Sequence, residues 1–129
     1  TVEVSDNSSA ASYNAVPVLA MLSQLTGERK YLDAALRAAE FCWNRQQGGI
    51  FAGGTIDNPD VIDKEAGTLS LEAYLTLFEV TKDKKWLDRA QAAANFAETW
   101  MFVWNVPMPA EADDAQLHWK RGVSTVGAQ

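Results

Sequence analysis

The chain has few of the residues that build disulfides, metal sites and nucleic-acid interfaces. Its 129 residues include one cysteine and one histidine, so no internal disulfide can form, and neither a zinc site nor a two-histidine active site is expected. Basic side chains number 11 against 17 acidic ones, and the net charge of −6 argues against nucleic acid and anionic membrane surfaces as partners. The apolar runs are too short to span a bilayer. The sequence therefore predicts a globular protein without a metal or a cofactor.

Repetition is the feature that the sequence does have. Residues 26–41 return as residues 81–96, which is an offset of 55 positions. Eight positions keep their residue type across this offset: Thr26, Lys30, Leu32, Asp33, Ala35, Ala38, Ala39 and Phe41. Internal repetition of this length is typical of stacked or circular arrays of helical hairpins, none of which can bury its apolar face alone. We therefore expect two hairpins that form part of a larger array.

The spacing of apolar residues predicts four helices, over about 15–25, 29–45, 63–80 and 84–103. Asn14 is expected to cap the first helix, which places Pro17 at the third helical position, where no intrahelical N–H is required. Cys42 lies in an alanine-rich helical stretch and is predicted to be a small buried hydrophobe. No long segment alternates with period two, although short strands near residues 49–54 remain possible. The predicted fold is a single all-α domain over residues 1–129, with antiparallel hairpins at about 15–45 and 63–103.

The lengths of the connections between helices are strongly asymmetric. The turns within the hairpins, at 26–28 and 81–83, are short, whereas residues 46–62 and 104–121 form long connections. In an up-and-down array the short turns share one end and the long connections share the other. Because long loops in compact domains are usually functional or disordered, and these contain aromatic residues, we predict that the functional face is the long-loop end.

Both repeats carry a motif at their short turns. Leu-Ser-Gln-Leu-Thr-Gly-Glu at 22–28 is followed by Tyr-Leu-Asp-Ala-Ala at 31–35, and related residues recur at 77–83 and 86–90. This motif resembles that of the six-hairpin (α/α) toroids, which include glycoside hydrolases, unsaturated glucuronyl hydrolases and N-acylglucosamine 2-epimerases. The second copy departs from the pattern at Lys82, where glycine is usual. The resemblance implies that helices one and three are inner helices, that the cleft lies at the long-loop face, and that the chain is a fragment of a larger toroid.

The richest polar cluster lies at the predicted start of helix three. Asp57, Asp60 and Asp63 are candidate catalytic residues, because glycoside hydrolysis needs one protonated and one ionised carboxyl group. Crowding of carboxylates raises some of their pKa values, as a general acid requires. The alternatives are a structural role, since Asp60 and Asp63 have the spacing of an N-cap and its third residue, and calcium binding, for which no EF-hand spacing exists.

Four further residues are candidates for binding sugar. Asp6 and Asn7 precede the other inner helix and could bind hydroxyl groups or form a capped turn. Trp104 and Trp119 lie in the last long connection, where exposed rings suit sugar faces and buried rings would serve packing. The remaining tryptophans are predicted to pack within the fold: Trp43, Trp86 and Trp100.

These predictions combine into a function and its alternative. We expect a fragment of a carbohydrate-processing enzyme, a glycoside hydrolase that uses loop carboxylates, with a carbohydrate substrate and no activity as an isolated fragment. The alternative is a non-catalytic helical-repeat module that binds protein. Because the array is too short to close, we also expect self-association through the open sides of the hairpins. The sugar, its linkage and the cellular compartment are not predicted.

Overall fold

The computed structural model describes residues 10–46, 48–54 and 61–104, with side chains from residue 12 onward. These residues form four helices: α1 (Ala10–Thr26), α2 (Arg29–Arg45), α3 (Lys64–Thr81) and α4 (Lys84–Glu98). The predicted all-α class and the two helical hairpins are confirmed. The chain divides into a unit that spans Thr1–Thr99 and holds all four helices, and a second unit that spans Trp100–Gln129. No helix in the described part is both long enough and apolar enough to cross a membrane.

Two predicted helix boundaries are wrong. α1 begins at Ala10, so Asn14 is not its N-cap and Pro17 lies in the helix interior, where it removes one backbone hydrogen bond. α4 ends at Glu98 rather than near residue 103. The Thr99 hydroxyl donates to the Phe96 carbonyl at 2.7 Å, a local bond that competes with helical pairing, and an aromatic and β-branched run follows.

The repeat in sequence is a repeat in hydrogen bonding. The hydroxyls of Thr26 and Thr81 each donate to the carbonyl four residues earlier at 2.7 Å, and each accepts from the N–H two residues later at 3.2 Å. The following residues, Gly27 and Lys82, both adopt the left-handed conformation, with φ of 72° and 59°. Lys82 therefore takes the conformation of the glycine that it replaces, and both hairpins turn in the same way.

The helices contact one another most extensively within each hairpin, and α1 also contacts α3. Glu40 in α2 pairs with Lys85 and Arg89 in α4, and Phe51, which follows α2, packs on Phe96 near the end of α4. A residue of α2 thus meets the first half of α4, and a residue after the end of α2 meets the last turns of α4, which indicates that α2 and α4 run in the same direction. Since each hairpin is antiparallel, both short turns lie at the same end of the array, as predicted.

The core of the first unit combines small residues on the helices with large aromatic rings. The buried small residues of α2 and α4 are Ala35, Ala39, Ala90, Ala93 and Ala97. Gly67 brings α3 close to α4, because a Cβ at this position would lie 2.7 Å from the Phe96 ring. Tyr74 and Trp86 are fully buried and stack with their ring centroids 6.0 Å apart. The prediction that Cys42 is a buried hydrophobe is confirmed.

Candidate functional site

The described part of the first long connection folds onto the start of α3. Three of its glycines, Gly48, Gly49 and Gly53, have positive φ values, and the Gly49 N–H donates to Gln46 Oε1 at 2.6 Å. Gly53 N–H then donates to the Val61 carbonyl at 2.8 Å. This is the region where short strands were considered possible; it forms one antiparallel β-bridge, between residues 52 and 62.

Phe51 anchors this connection to the helices. Its side chain is fully buried, and its ring lies 6.3 Å from that of Trp43 and 5.6 Å from that of Phe96. Full burial of a phenylalanine side chain stabilises a fold by roughly 1.5–3 kcal/mol, before the entropy of ordering is subtracted. The first long connection is therefore packed onto the helices at Phe51, whereas Ile50 and Ile62 beside it are about half exposed.

Asp63 is the N-cap of α3. Its Oδ1 accepts from the Ala66 N–H at 2.7 Å, so Asp63 occupies the cap position and not the third position that the spacing from Asp60 suggested. Gly54 packs directly against this cap, because a Cβ there would lie 2.2 Å from Asp63 Oδ1. The other oxygen, Oδ2, is buried without a hydrogen-bond partner among the described residues. One of the three candidate catalytic carboxylates thus has a structural role, and its second oxygen is buried and accepts no hydrogen bond from the described residues.

The other predicted site residues are distributed differently. Trp104 belongs to the second unit, where its side chain is 62% exposed and its ring meets that of Phe102 edge-on at 6.1 Å. The remaining five candidates lie outside the described residues: Asp6, Asn7, Asp57, Asp60 and Trp119. Their gathering with Asp63 at the long-loop end stays a prediction.

The structure also contains a charged cluster that sequence reasoning missed. The Arg89 guanidinium carbon lies 4.7 Å from the ring centre of Trp43 and 4.8 Å from that of Trp86. Its Nη1 lies 2.9 Å from Glu40 Oε2, and Lys85 Nζ lies 2.8 Å from Glu40 Oε1. The prediction that Trp43 and Trp86 pack within the fold is confirmed, whereas Trp100 lies beyond the end of α4 and is 41% exposed. Arg89 could have been found as a break in the repeat, because alanine stands 55 residues earlier.

Burial and charge shift the pKa values of Glu40 and of two buried side chains, Tyr74 and Cys42. Partial burial raises the pKa of Glu40, but the hydrogen bond from Lys85 and the adjacent positive charge of Arg89 outweigh this effect and leave the pKa below its usual value. Burial raises the pKa of Tyr74, whose phenol stays neutral, and raises the pKa of the Cys42 thiol to about 12. Neither group has the lowered pKa of an activated nucleophile. The cluster therefore serves to join the two hairpins, and no reactive side chain emerges from it.

Within the described residues, no group of three or more histidine, cysteine or acidic side chains is placed to hold a metal ion. No protein-family model matches the sequence, and comparisons with curated proteins and with solved structures give no match.

Proposed function

We propose that this chain is part of a carbohydrate-processing enzyme of the (α/α) toroid type, a glycoside hydrolase whose sugar-binding face is the long-loop end. The observation that carries the proposal lies at the start of α3, where Asp63 Oδ2 is buried without a hydrogen-bond partner among the described residues. A carboxylate oxygen in such a position suits a sugar hydroxyl or a proton from a reacting group.

The arrangement of the helices supports the same proposal. α1 and α3 contact each other, and the ion pairs of Glu40 join α2 to α4. Two inner and two outer helices are what the resemblance to toroid enzymes implies. Fold alone does not fix chemistry, so the proposal depends on the loop carboxylates.

Asparagine at position 63 separates the two possible roles of the carboxylate. Because Asn caps a helix about as well as Asp does, Asp63→Asn should leave the free energy of unfolding nearly unchanged. The same change should weaken the binding of oligosaccharides to the chain, measured by calorimetric titration against neutral and acidic oligosaccharides. In a longer polypeptide that turns over a glycoside, loss of an acid–base residue should lower the rate by roughly 10²–10⁴-fold.

Asp63→Ala serves as the structural control, since it removes both the cap and the charge. The proposal would be contradicted if no oligosaccharide bound to the unmodified chain, or if Asp63→Asn bound sugar as tightly as the unmodified chain does. In that case Asp63 is a helix cap alone.

A non-catalytic module that binds protein is the second candidate, and the surface of α1 favours it. Val18, Met21 and Leu25 are all more than half exposed and follow helical spacing along one side of this helix. Capture of a helical partner by the unmodified chain, together with a lack of sugar binding, would support this function over the first.

A further inference from the structure

The 55-residue repeat allows the surface of one hairpin to be compared with that of the other, position by position. Hairpin one is α1 with α2, and hairpin two is α3 with α4. In a repeat array each unit packs only against its neighbours. A position that is buried in one hairpin and exposed in the other therefore marks a face where a neighbour is present for one copy and missing for the other.

One set of positions is covered only in hairpin two. Ala73 is fully buried, whereas its equivalent in hairpin one, Val18, is 58% exposed. Val80 is half-buried, whereas its equivalent, Leu25, is 81% exposed. These positions are covered in hairpin two because hairpin one is the neighbour of hairpin two. Hairpin one carries the same apolar face without a cover.

The outer helices show the same difference. Phe96 in α4 packs against Phe51, which belongs to the segment that leaves hairpin one. Its equivalent in α2, Phe41, is 37% exposed. We name Val18, Leu25 and Phe41 the leading face of the array.

The opposite difference defines the other side. Val16 and Ala20 in α1 are fully buried. Their equivalents in α3 are Leu71, which is half-buried, and Leu75, which is 37% exposed. We name Leu71 and Leu75 the trailing face, because it is the side of hairpin two that corresponds to the covered side of hairpin one.

We infer that the occupant of the leading face is a second copy of this chain, which docks its trailing face there, head to tail. In this arrangement hairpin two of one copy contacts hairpin one of the next copy, in the way that hairpin one contacts hairpin two within a single chain. It joins two different surfaces, so the interface is heterologous, and in such an interface each copy can use both faces. α1 contains no charged residue, so an approaching copy meets no charged side chain on this helix, although each chain carries a net charge of −6.

The contact between copies lacks the ion pairs that join the hairpins within one copy. The position equivalent to Glu40 is Asn95, and the positions equivalent to Lys85 and Arg89 are Lys30 and Ala34. The interface between copies therefore has no counterpart of these ion pairs, while two chains of net charge −6 repel each other over a distance. Added salt screens this repulsion, so association should be unchanged or strengthened at high ionic strength.

Complementary variants test the head-to-tail arrangement by sedimentation velocity at micromolar concentrations. Val18→Glu blocks the leading face and Leu75→Glu blocks the trailing face. The unmodified chain should sediment as a dimer or larger species, and each variant alone should be a monomer. An equal mixture of the two variants should form a dimer that grows no further, because each contributes one intact face.

Gln24→Glu is the matched control, because it adds the same charge at an exposed position of α1 that is rotated about 100° around the helix axis from Leu25 and about 120° from Val18; it should associate like the unmodified chain. Leu25→Glu provides a second block of the leading face at a more exposed site, and circular dichroism should show unchanged helix content in every variant. The inference is overturned if the unmodified chain is a monomer, or if the mixture stays monomeric. It is also overturned if Leu75→Glu alone still dimerises, since that result indicates leading faces packed on each other.

Discussion

Glu40 in α2 lies 2.9 Å from Arg89 in α4, measured between Oε2 and Nη1, across the boundary between the two hairpins. Arg89 is only 13% exposed and lies against the rings of Trp43 and Trp86. Its stem and guanidinium are therefore shielded from water, and Glu40 is the carboxylate that offsets its charge. The pair fixes how far one hairpin is displaced along the other.

Glu40→Gln should lower the free energy of unfolding by about 1–2 kcal/mol. Removing one partner of a buried pair costs roughly 3–5 kcal/mol, but Glu40 is 38% exposed, so solvent screening reduces the effect. Lys85→Met is the comparison, because its side chain is 45% exposed and its pair with Glu40 should contribute about 0–1 kcal/mol. Urea unfolding measures the loss of stability in both variants. A larger loss for Lys85→Met than for Glu40→Gln would contradict the assignment of Arg89 as the main partner of Glu40.

The same carboxylate predicts a dependence of stability on acid. Because the folded-state pKa of Glu40 lies below its ordinary value of 4.5, its contribution is fully present above that pH and is lost as the pH falls through the folded-state pKa. The difference in unfolding free energy between the unmodified chain and Glu40→Gln should therefore be constant near neutral pH and should shrink below pH 4.5. A difference that stays constant down to pH 3 would show that the charge is not responsible.

The sequence predicts the helices of this fold better than it predicts the residues that join them. The range of α2 was predicted to the residue, because the motif begins it and glycines follow it. The predicted start of α1 is five residues too late, since Pro17 was assigned to a first turn but is accommodated in the helix interior. The pairing of Glu40 with Arg89 spans 49 positions of sequence and depends on the displacement of one hairpin along the other, which no local pattern specifies.

The candidate site was predicted from residue type, and the structure gives one of its members a structural role. Carboxylates just before a helix in the sequence are compatible both with catalysis and with stabilisation of the helix dipole. Asp63 is a cap because the helix begins one residue after it, and spacing alone placed the cap at Asp60. Distinguishing these roles requires the hydrogen bond of Oδ1, which is a property of the folded backbone.

Lys82→Gly should raise the free energy of unfolding by about 0.5–1 kcal/mol. Lys82 has φ of 59°, and the left-handed conformation costs an L-residue roughly 1–2 kcal/mol, a cost that glycine avoids. Part of this gain is offset because glycine has more conformational freedom in the unfolded chain. Gly27→Ala makes the opposite change at the equivalent turn, where space is available for a Cβ, and should destabilise by a similar amount. Lys82→Ala is the control, because it keeps the strained backbone conformation. If Lys82→Ala raised the free energy of unfolding as much as Lys82→Gly does, the loss of the lysine side chain would be the cause, and not the relief of backbone strain.

Cys42 should be protected from thiol reagents and should make the fold sensitive to alkali. Burial raises the pKa of its thiol to about 12, so between pH 9 and that value the unfolded chain loses a proton that the folded chain keeps. Stability then falls as pH rises, by at most about 1.4 kcal/mol per pH unit for this group. Cys42→Ala, which places there the residue found at the equivalent position 97, should reduce the slope. An equal slope in both proteins, or rapid labelling of native protein, would contradict burial of the thiol.

Gly54→Ala and Asp63→Ala should be coupled in their effects on stability. The new Cβ would lie 2.2 Å from Asp63 Oδ1 and 2.4 Å from the Ala66 nitrogen, so Gly54→Ala should cost about 1–3 kcal/mol by overpacking. Asp63→Ala removes the cap and should cost roughly 0.5–2 kcal/mol.

The double variant should then lose less stability than the two single losses added together. Removing the carboxylate takes away the nearest atom that the new methyl group meets, while the crowding against the Ala66 backbone remains, so part of the cost of Gly54→Ala persists. A double-mutant cycle by urea unfolding should give an interaction energy above about 0.5 kcal/mol, the usual scatter between independent sites. Simple additivity would mean that residues 53–54 move away from the cap when crowded, and that the loop and the start of α3 are not packed as one structure.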